Sequence, residues 1–163
     1  MTTRKPQLVF LVDDNETYLD TLEHNLQLDF RSGIKLEKYT SAEACLKNIH
    51  RDPDVVILDY HLPKVNGINV LRRIKVTKSG TEVVMLSANE KLDIAVDCIR
   101  NGAYDYVVKN ETAFVRTGNL MKNLLSNARL KKESKTYERW NWAIGSVLFL
   151  AIAYGVYFHL VYD

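Results

Sequence analysis

Cysteine is scarce. There are two in 163 residues, Cys45 and Cys98, each isolated inside a helical pattern. That argues against a disulfide framework or a zinc site and for buried, reduced thiols. Net charge is small as well. A formal +2 gives no general attraction to nucleic acid, and no nucleic-acid partner is expected. Internal repeats and low-complexity tracts are missing. The opening MTTRKPQ leads into an apolar run too short for a signal peptide, so none is expected there. One long stretch lacks charge altogether. Trp142 to Tyr162, WAIGSVLFLAIAYGVYFHLVY, contains no Asp, Glu, Lys or Arg. A mean hydropathy of −0.19 for the whole chain conceals it.

What is present is a regular alternation. A hydrophobic content of 47% supports a real core, and the apolar residues fall into strand and helix patterns in turn. Strands are expected at Gln7–Val12, Ile34–Tyr39, Asp54–Leu58, Glu82–Leu86 and Tyr104–Val108. The second alternates and reads as an edge; the others are short β-branched runs, as buried parallel strands are. Helices are expected from Asn15 to Phe30 (Leu19, Leu22, Leu26), after the T-S-A-E capping box at Thr40–Glu43, and around Val70, Leu71 and Ile74. A fourth carries Leu92, Ala95, Val96 and Ile99, and a fifth, from near Thr112, packs through Phe114, Leu120, Met121, Leu124 and Leu125. Gly33, Gly80 and Gly102 stop the first, third and fourth helices. Five strand–helix units predict an α/β fold, a flavodoxin-like doubly wound five-stranded parallel sheet in the order 2-1-3-4-5.

Four of those strands end on polar residues. LVFLV runs into Asp13 and Asp14, VVILD ends on Asp59, VVMLS on Ser87, and YVV runs into Lys109. Carboxyl ends of parallel strands share one crevice, where open α/β sheets bind ligands. Three carboxylates crowded there need help. Two unit charges about 4 Å apart repel by about 4 kcal/mol at an effective dielectric of about 20. A hard divalent cation relieves this, and Mg²⁺ accepts a partial shell of carboxylates completed by water and phosphate oxygens. Lys109 adds a compact positive charge and Ser87 a hydroxyl donor for phosphoryl oxygens. A carboxylate can act as nucleophile and form an acyl phosphate. The set is complete for metal-assisted phosphoryl transfer onto a carboxylate.

With these motifs in order, the chain from Pro6 to Ala128 resembles the receiver domains of two-component response regulators. The acidic pair Asp13-Asp14, Asp59 in LDYHLPKVNG (D-x-x-x-P-x-x-x-G), Ser87-Ala88 and Tyr106-Val-Val-Lys109 carry the likeness. It implies that Asp59 is the phosphoacceptor, supplied by a histidine kinase or a histidine phosphotransfer protein. It implies Mg²⁺ on Asp13, Asp14 and Asp59, with the Tyr60 backbone carbonyl as a further ligand. Ser87 and Lys109 would read the phosphate, and Tyr106 would be the switch aromatic. His61 stands where the family tunes phosphate lifetime. A downstream effector would dock on the helix four–strand five–helix five face. Such a protein is not an enzyme beyond its own phosphorylation and dephosphorylation. Asn110 replaces the proline that often follows the family's lysine, so the backbone there is left open.

After the expected receiver (6–128) comes a basic stalk (129–141) with Arg129, Lys131, Lys132, Lys135 and Arg139, then the charge-free run (142–162). At 1.5 Å per residue that run is about 30 Å long, the thickness of a hydrocarbon core. Trp140 and Trp142 near one end and Tyr157 and Tyr162 toward the other suit the two interfaces. A C-terminal transmembrane helix is therefore expected, anchored in the lipid bilayer of the cell (inner) membrane, with the positive stalk and the receiver in the cytoplasm. Ala151, Gly155 and His159 at i, i+4, i+8 allow, without requiring, a homodimer. Too little chain remains for an output domain of its own. Two alternatives stay open: a degenerate receiver serving as a membrane scaffold, and an aspartate-nucleophile phosphatase, since VDDNET faintly resembles D-x-D-x-T with Asn15 out of place.

Overall fold

Apolar residues two apart along each central strand point to opposite faces, so a strand with both parities apolar must be covered on both sides. The computed structural model, which describes residues 6–30, 33–127, 144 and 146, shows this arrangement. It divides into two units, Met1–Leu125 and Ser126–Asp163. In the first, β1 (Gln7–Val12), α1 (Glu16–Phe30), β2 (Ile34–Tyr39), α2 (Ala42–Asn48) and β3 (Val55–Asp59) follow in order. A short hairpin, β4 (His61–Leu62) and β5 (Val65–Asn66), precedes α3 (Gly67–Thr77), β6 (Glu82–Ser87), α4 (Leu92–Arg100) and β7 (Asp105–Val108). An α5 follows, helical from 113 to the end of this unit. The five-stranded sheet has the order β2-β1-β3-β6-β7, and its pairings are all parallel. Leaving out the hairpin, that is the expected 2-1-3-4-5, with the second strand at an edge.

Phe10, Val56, Leu58, Val83 and Met85 pack with Cys45, Leu71, Ile74 and Cys98 of α2, α3 and α4. Val9, Leu11, Ile57, Val84 and Val107 face the other way, onto Leu19, Leu22 and Leu26 of α1 and Met121, Leu124 and Leu125 of α5. Both cysteines are free and buried. Burial pushes the Cys45 thiol up to about 12 and, with the nearby Asp97 charge, Cys98 to about 11, so neither is a ready thiolate. His24 and His50 are exposed.

Two local expectations are corrected. The cap of α2 is Ser41, not Thr40: its hydroxyl accepts the Ala44 N–H at 3.2 Å, so the reciprocal glutamate of a capping box is out of register. The buried side of α4 is also different. Ile94, Ala95 and Cys98 meet the core, while Leu92, Val96 and Ile99 are 77%, 39% and 46% exposed. This short helix is apolar on most of its circumference, so periodicity admits two stripes. Cys98, fully buried in the same cluster as Tyr106, marks the side that the sheet accepts. At its end Gly102 takes φ +94°, the left-handed conformation that favours glycine.

Among the described residues no helix is long and apolar enough to cross a membrane. The stalk lies outside the described residues, as does the run expected to span the bilayer, apart from the helical Ile144 and Ser146.

Candidate functional site

Strand register assembles the site. Val12 pairs with Leu58, so the next residues along, Asp13 and Asp59, emerge side by side. Asp59 pairs with Leu86 and Ser87 with Val108, which brings in the following Ser87 and Lys109. Carboxylate oxygens of Asp13, Asp14 and Asp59 lie within 4.8 Å of one another. Asp13 and Asp59 are buried and Asp14 is exposed. Lys109 bridges the buried pair: its Nζ donates to Asp13 Oδ2 at 2.6 Å and lies 2.9 Å from Asp59 Oδ1. The second contact is an ion pair without hydrogen-bond alignment, which leaves Asp59 Oδ1 shielded from water and without a hydrogen bond.

Burial raises the Asp59 pKa; the Lys109 charge opposes the shift and Asp13 adds to it. Asp13 does not cap α1. Its Oδ1 accepts the Asn15 N–H at 3.0 Å, and Asn15 Oδ1 in turn caps the helix through the Tyr18 N–H at 3.0 Å. The residue that departs from D-x-D-x-T thus has a structural task.

Ser87 is fully buried. Its Oγ accepts the Asn89 N–H at 3.0 Å, and the Tyr106 hydroxyl donates to the Asn89 carbonyl at 2.7 Å. Ser87 and Tyr106 therefore grip the backbone N–H and C=O of one residue in the β6–α4 loop. Tyr106 is turned inward, 6% exposed. Asn89 went unnoticed in the sequence because nothing in a polar loop residue announces that its backbone is shared. His61 is exposed on the hairpin, its ring edge-on to Tyr60 at 4.9 Å, outside the acidic cluster. The Lys109–Asn110 peptide is trans, since the described residues contain no cis peptide bond.

The Tyr60 carbonyl accepts the Gly67 N–H at 2.9 Å, at the start of α3, and keeps a second lone pair. The same contact explains the glycine of D-x-x-x-P-x-x-x-G. A Cβ on Gly67 would stand 2.5 Å from the Asp59 carbonyl oxygen and 2.7 Å from the Tyr60 Cα, both backbone atoms. An ordinary glycine in a helix gains from alanine. Gly67→Ala is instead expected to cost about 1–3 kcal/mol, read as a lower urea midpoint at unchanged slope, because it displaces the strand end that carries Asp59. A variant as stable as the wild type would show that the approach is not tight.

Tyr18 was missed in the sequence, where α1 drew attention only through its leucines. Its ring lies beneath Lys109 Nζ, 4.6 Å from the centroid. Its position one turn after the acidic pair, on the helix face toward the sheet, was the available signal.

The sequence model of the family "Response regulator receiver domain" matches residues 9–115. The chain belongs to that family. This receiver is 30% identical over 102 residues to the chemotaxis protein CheY of Listeria monocytogenes, covering 63% of its own length and 86% of that protein. It is 32% identical over 102 residues to the alkaline phosphatase synthesis transcriptional regulatory protein PhoP of Bacillus subtilis, covering 62% of itself and 41% of that longer protein. Among solved structures, a receiver domain from Clostridium thermocellum superposes with a TM-score of 0.64 at 27% identity, covering 78% and 97% of the two chains. A receiver of a LuxO-type repressor from Vibrio parahaemolyticus reaches 0.73 at 24%, covering 80% and 98%, a likeness of fold. The flavodoxin-like sheet and the place in two-component signalling are those of a receiver. Receivers as a class bind Mg²⁺ through an acidic cluster and act with histidine kinases or phosphotransfer proteins and effectors. In this receiver the cluster is Asp13, Asp14 and Asp59. An all-oxygen donor set of three converging carboxylates fits a hard divalent cation.

Proposed function

We propose that this receiver accepts a phosphoryl group on Asp59 from the phosphohistidine of a histidine kinase or phosphotransfer protein, in a Mg²⁺-dependent reaction. The observation that carries the reading is the convergence of two buried carboxylates on one ammonium, with a buried serine at the neighbouring strand end. An Asp59 carboxylate oxygen attacks phosphorus, the P–N bond breaks, and the imidazole leaves with the electron pair and takes a proton from solvent. Lys109 and Ser87 then meet the phosphoryl oxygens by ion pair and hydrogen bond. Asp13 and Asp14, with Asp59, hold the Mg²⁺, which when bound neutralises the charge of the transferring group. Tyr106 reads the change: a Ser87 drawn toward the phosphoryl group gives up its grip on the Asn89 backbone, which Tyr106 shares. The α4–β7–α5 face, which includes the exposed Leu92, Val96 and Ile99, passes the state to an effector. His61, exposed on the hairpin two residues after Asp59, stands at the position that tunes how long the acyl phosphate lasts. The protein turns over no external substrate. Acetyl phosphate with Mg²⁺ is expected to add one phosphoryl group, seen by intact mass; a chain left unmodified would sink the reading.

The charge-free run Trp142–Tyr162 anchors this receiver to the cell inner membrane, the basic stalk keeping it cytoplasmic. Carbonate extraction is expected to leave the full chain in the membrane pellet, and deletion of Trp142–Asp163 to move it quantitatively to the supernatant. Wild-type protein in the carbonate supernatant would end the anchor.

A further inference from the structure

Tyr18 has no part in the phosphoryl chemistry above, yet it touches the charge at its centre. Its ring face lies under the Lys109 ammonium. Phe114 of α5 supports the ring, with centroids 5.2 Å apart and planes tilted by 32°. The Tyr18 hydroxyl is closed off from solvent and has no hydrogen-bond partner among the described residues. Burial, with the Asp13 and Asp59 charges behind it, pushes the hydroxyl up to about 12, so it is a neutral phenol at any physiological pH. The side chain's one evident interaction with the site is therefore through the ring. An aromatic face attracts an ammonium through its quadrupole, and more strongly where water is excluded. Lys109 thus sits among three attractors: Asp13 at 2.6 Å, Asp59 at 2.9 Å and the ring.

We infer that Tyr18 is a positioning residue that holds the Lys109 ammonium against Asp13 and Asp59, and so sets how hard a divalent cation must compete for those carboxylates. The inference rests on the proposed Mg²⁺ site and adds a residue outside the acidic set. Its signature is a sign. Whatever stabilises the Lys109-bound form lowers cation affinity by the same factor. Removing the ring therefore tightens cation binding. A merely structural Tyr18 gives the reverse, since a loosened carboxylate cluster binds a cation less well.

The test is calorimetric titration of Mg²⁺ into the full metal-free chain in detergent micelles. Tyr18→Leu is expected to tighten binding roughly fivefold, the ratio that corresponds to about 1 kcal/mol. Tyr18→Phe keeps the ring and is expected to keep the wild-type affinity. In a Lys109→Met background Tyr18→Leu is expected to change nothing, because the contact has lost its other half. Tyr18→Met is the second non-aromatic variant if leucine does not fold. Unchanged or weaker binding in the non-aromatic variants overturns the inference. So does equal tightening without Lys109, which would assign the effect to hydration of the carboxylates. A wild-type chain that binds no Mg²⁺ refutes the cation site itself. The ring contact is then decided in the metal-free chain by the Lys109 ammonium resonance, expected to move downfield in Tyr18→Leu and not in Tyr18→Phe. A resonance that stays put overturns the inference independently.

Discussion

Asp59→Asn is expected to take no phosphoryl group from acetyl phosphate and Mg²⁺ under conditions that fully label the wild type. The amide keeps the size and shape of the carboxylate but lacks its charge, so it neither attacks phosphorus nor forms an acyl phosphate. The loss should be complete, because Asp13 is held by Lys109 and the Asn15 N–H and Asp14 is exposed. Label persisting in this variant would remove Asp59 as the acceptor. A second expectation concerns stability. Asp59 keeps its proton to higher pH folded than unfolded, chiefly because it is buried. The folded chain then binds more protons, so stability falls as pH rises from the ordinary carboxylate value through the raised one. Asparagine has no such cost. In EDTA, Asp59→Asn should melt above the wild type at neutral pH, and the gap should close on acidification below the ordinary carboxylate pKa. A gap independent of pH would contradict the direction of that shift.

Lys109→Met is expected to lower stability in EDTA by about 3–5 kcal/mol, the cost of leaving buried charge without its partner. The side chain is largely buried and both of its carboxylate partners are almost fully so. Without it, Asp13 and Asp59 face each other with no counter-charge. Mg²⁺ should restore much of the loss, since a divalent cation supplies what the ammonium did. Acidification should restore part as well, because protonating Asp59 removes one side of the repulsion. Urea denaturation with EDTA and with excess Mg²⁺ measures both. A variant as stable as the wild type in EDTA would show that water, not Lys109, balances these carboxylates. A deficit that Mg²⁺ leaves untouched would argue against a cation among them.

Much of the site was legible because parallel strands put their carboxyl ends at one edge. Any polar residue that terminates an apolar strand run must then join the others there, and Asp13, Asp59, Ser87 and Lys109 all do. The central strands were legible because they are buried on both faces and so are almost wholly apolar, and the second, at the edge, was legible from its alternation. The less regular parts were not. Asn89 and Tyr18 were overlooked because one acts through its backbone and the other through a ring face; neither leaves a motif. The α4 stripe was misassigned because its two candidate faces are about equally apolar.

The amino-acid order by itself determined the alternation of elements, the strand order and the set of groups that meet. These follow from hydrophobic period and from the geometry of parallel crossovers, both local or topological properties. Only the tertiary structure decided how those groups are shared. Lys109 bridges two carboxylates and rests on Tyr18, Ser87 and Tyr106 meet at Asn89, and Gly67 leaves room for the Asp59 carbonyl. Such contacts depend on distances of a few tenths of an ångström between residues far apart in the chain. No periodicity encodes those distances; only packing sets them.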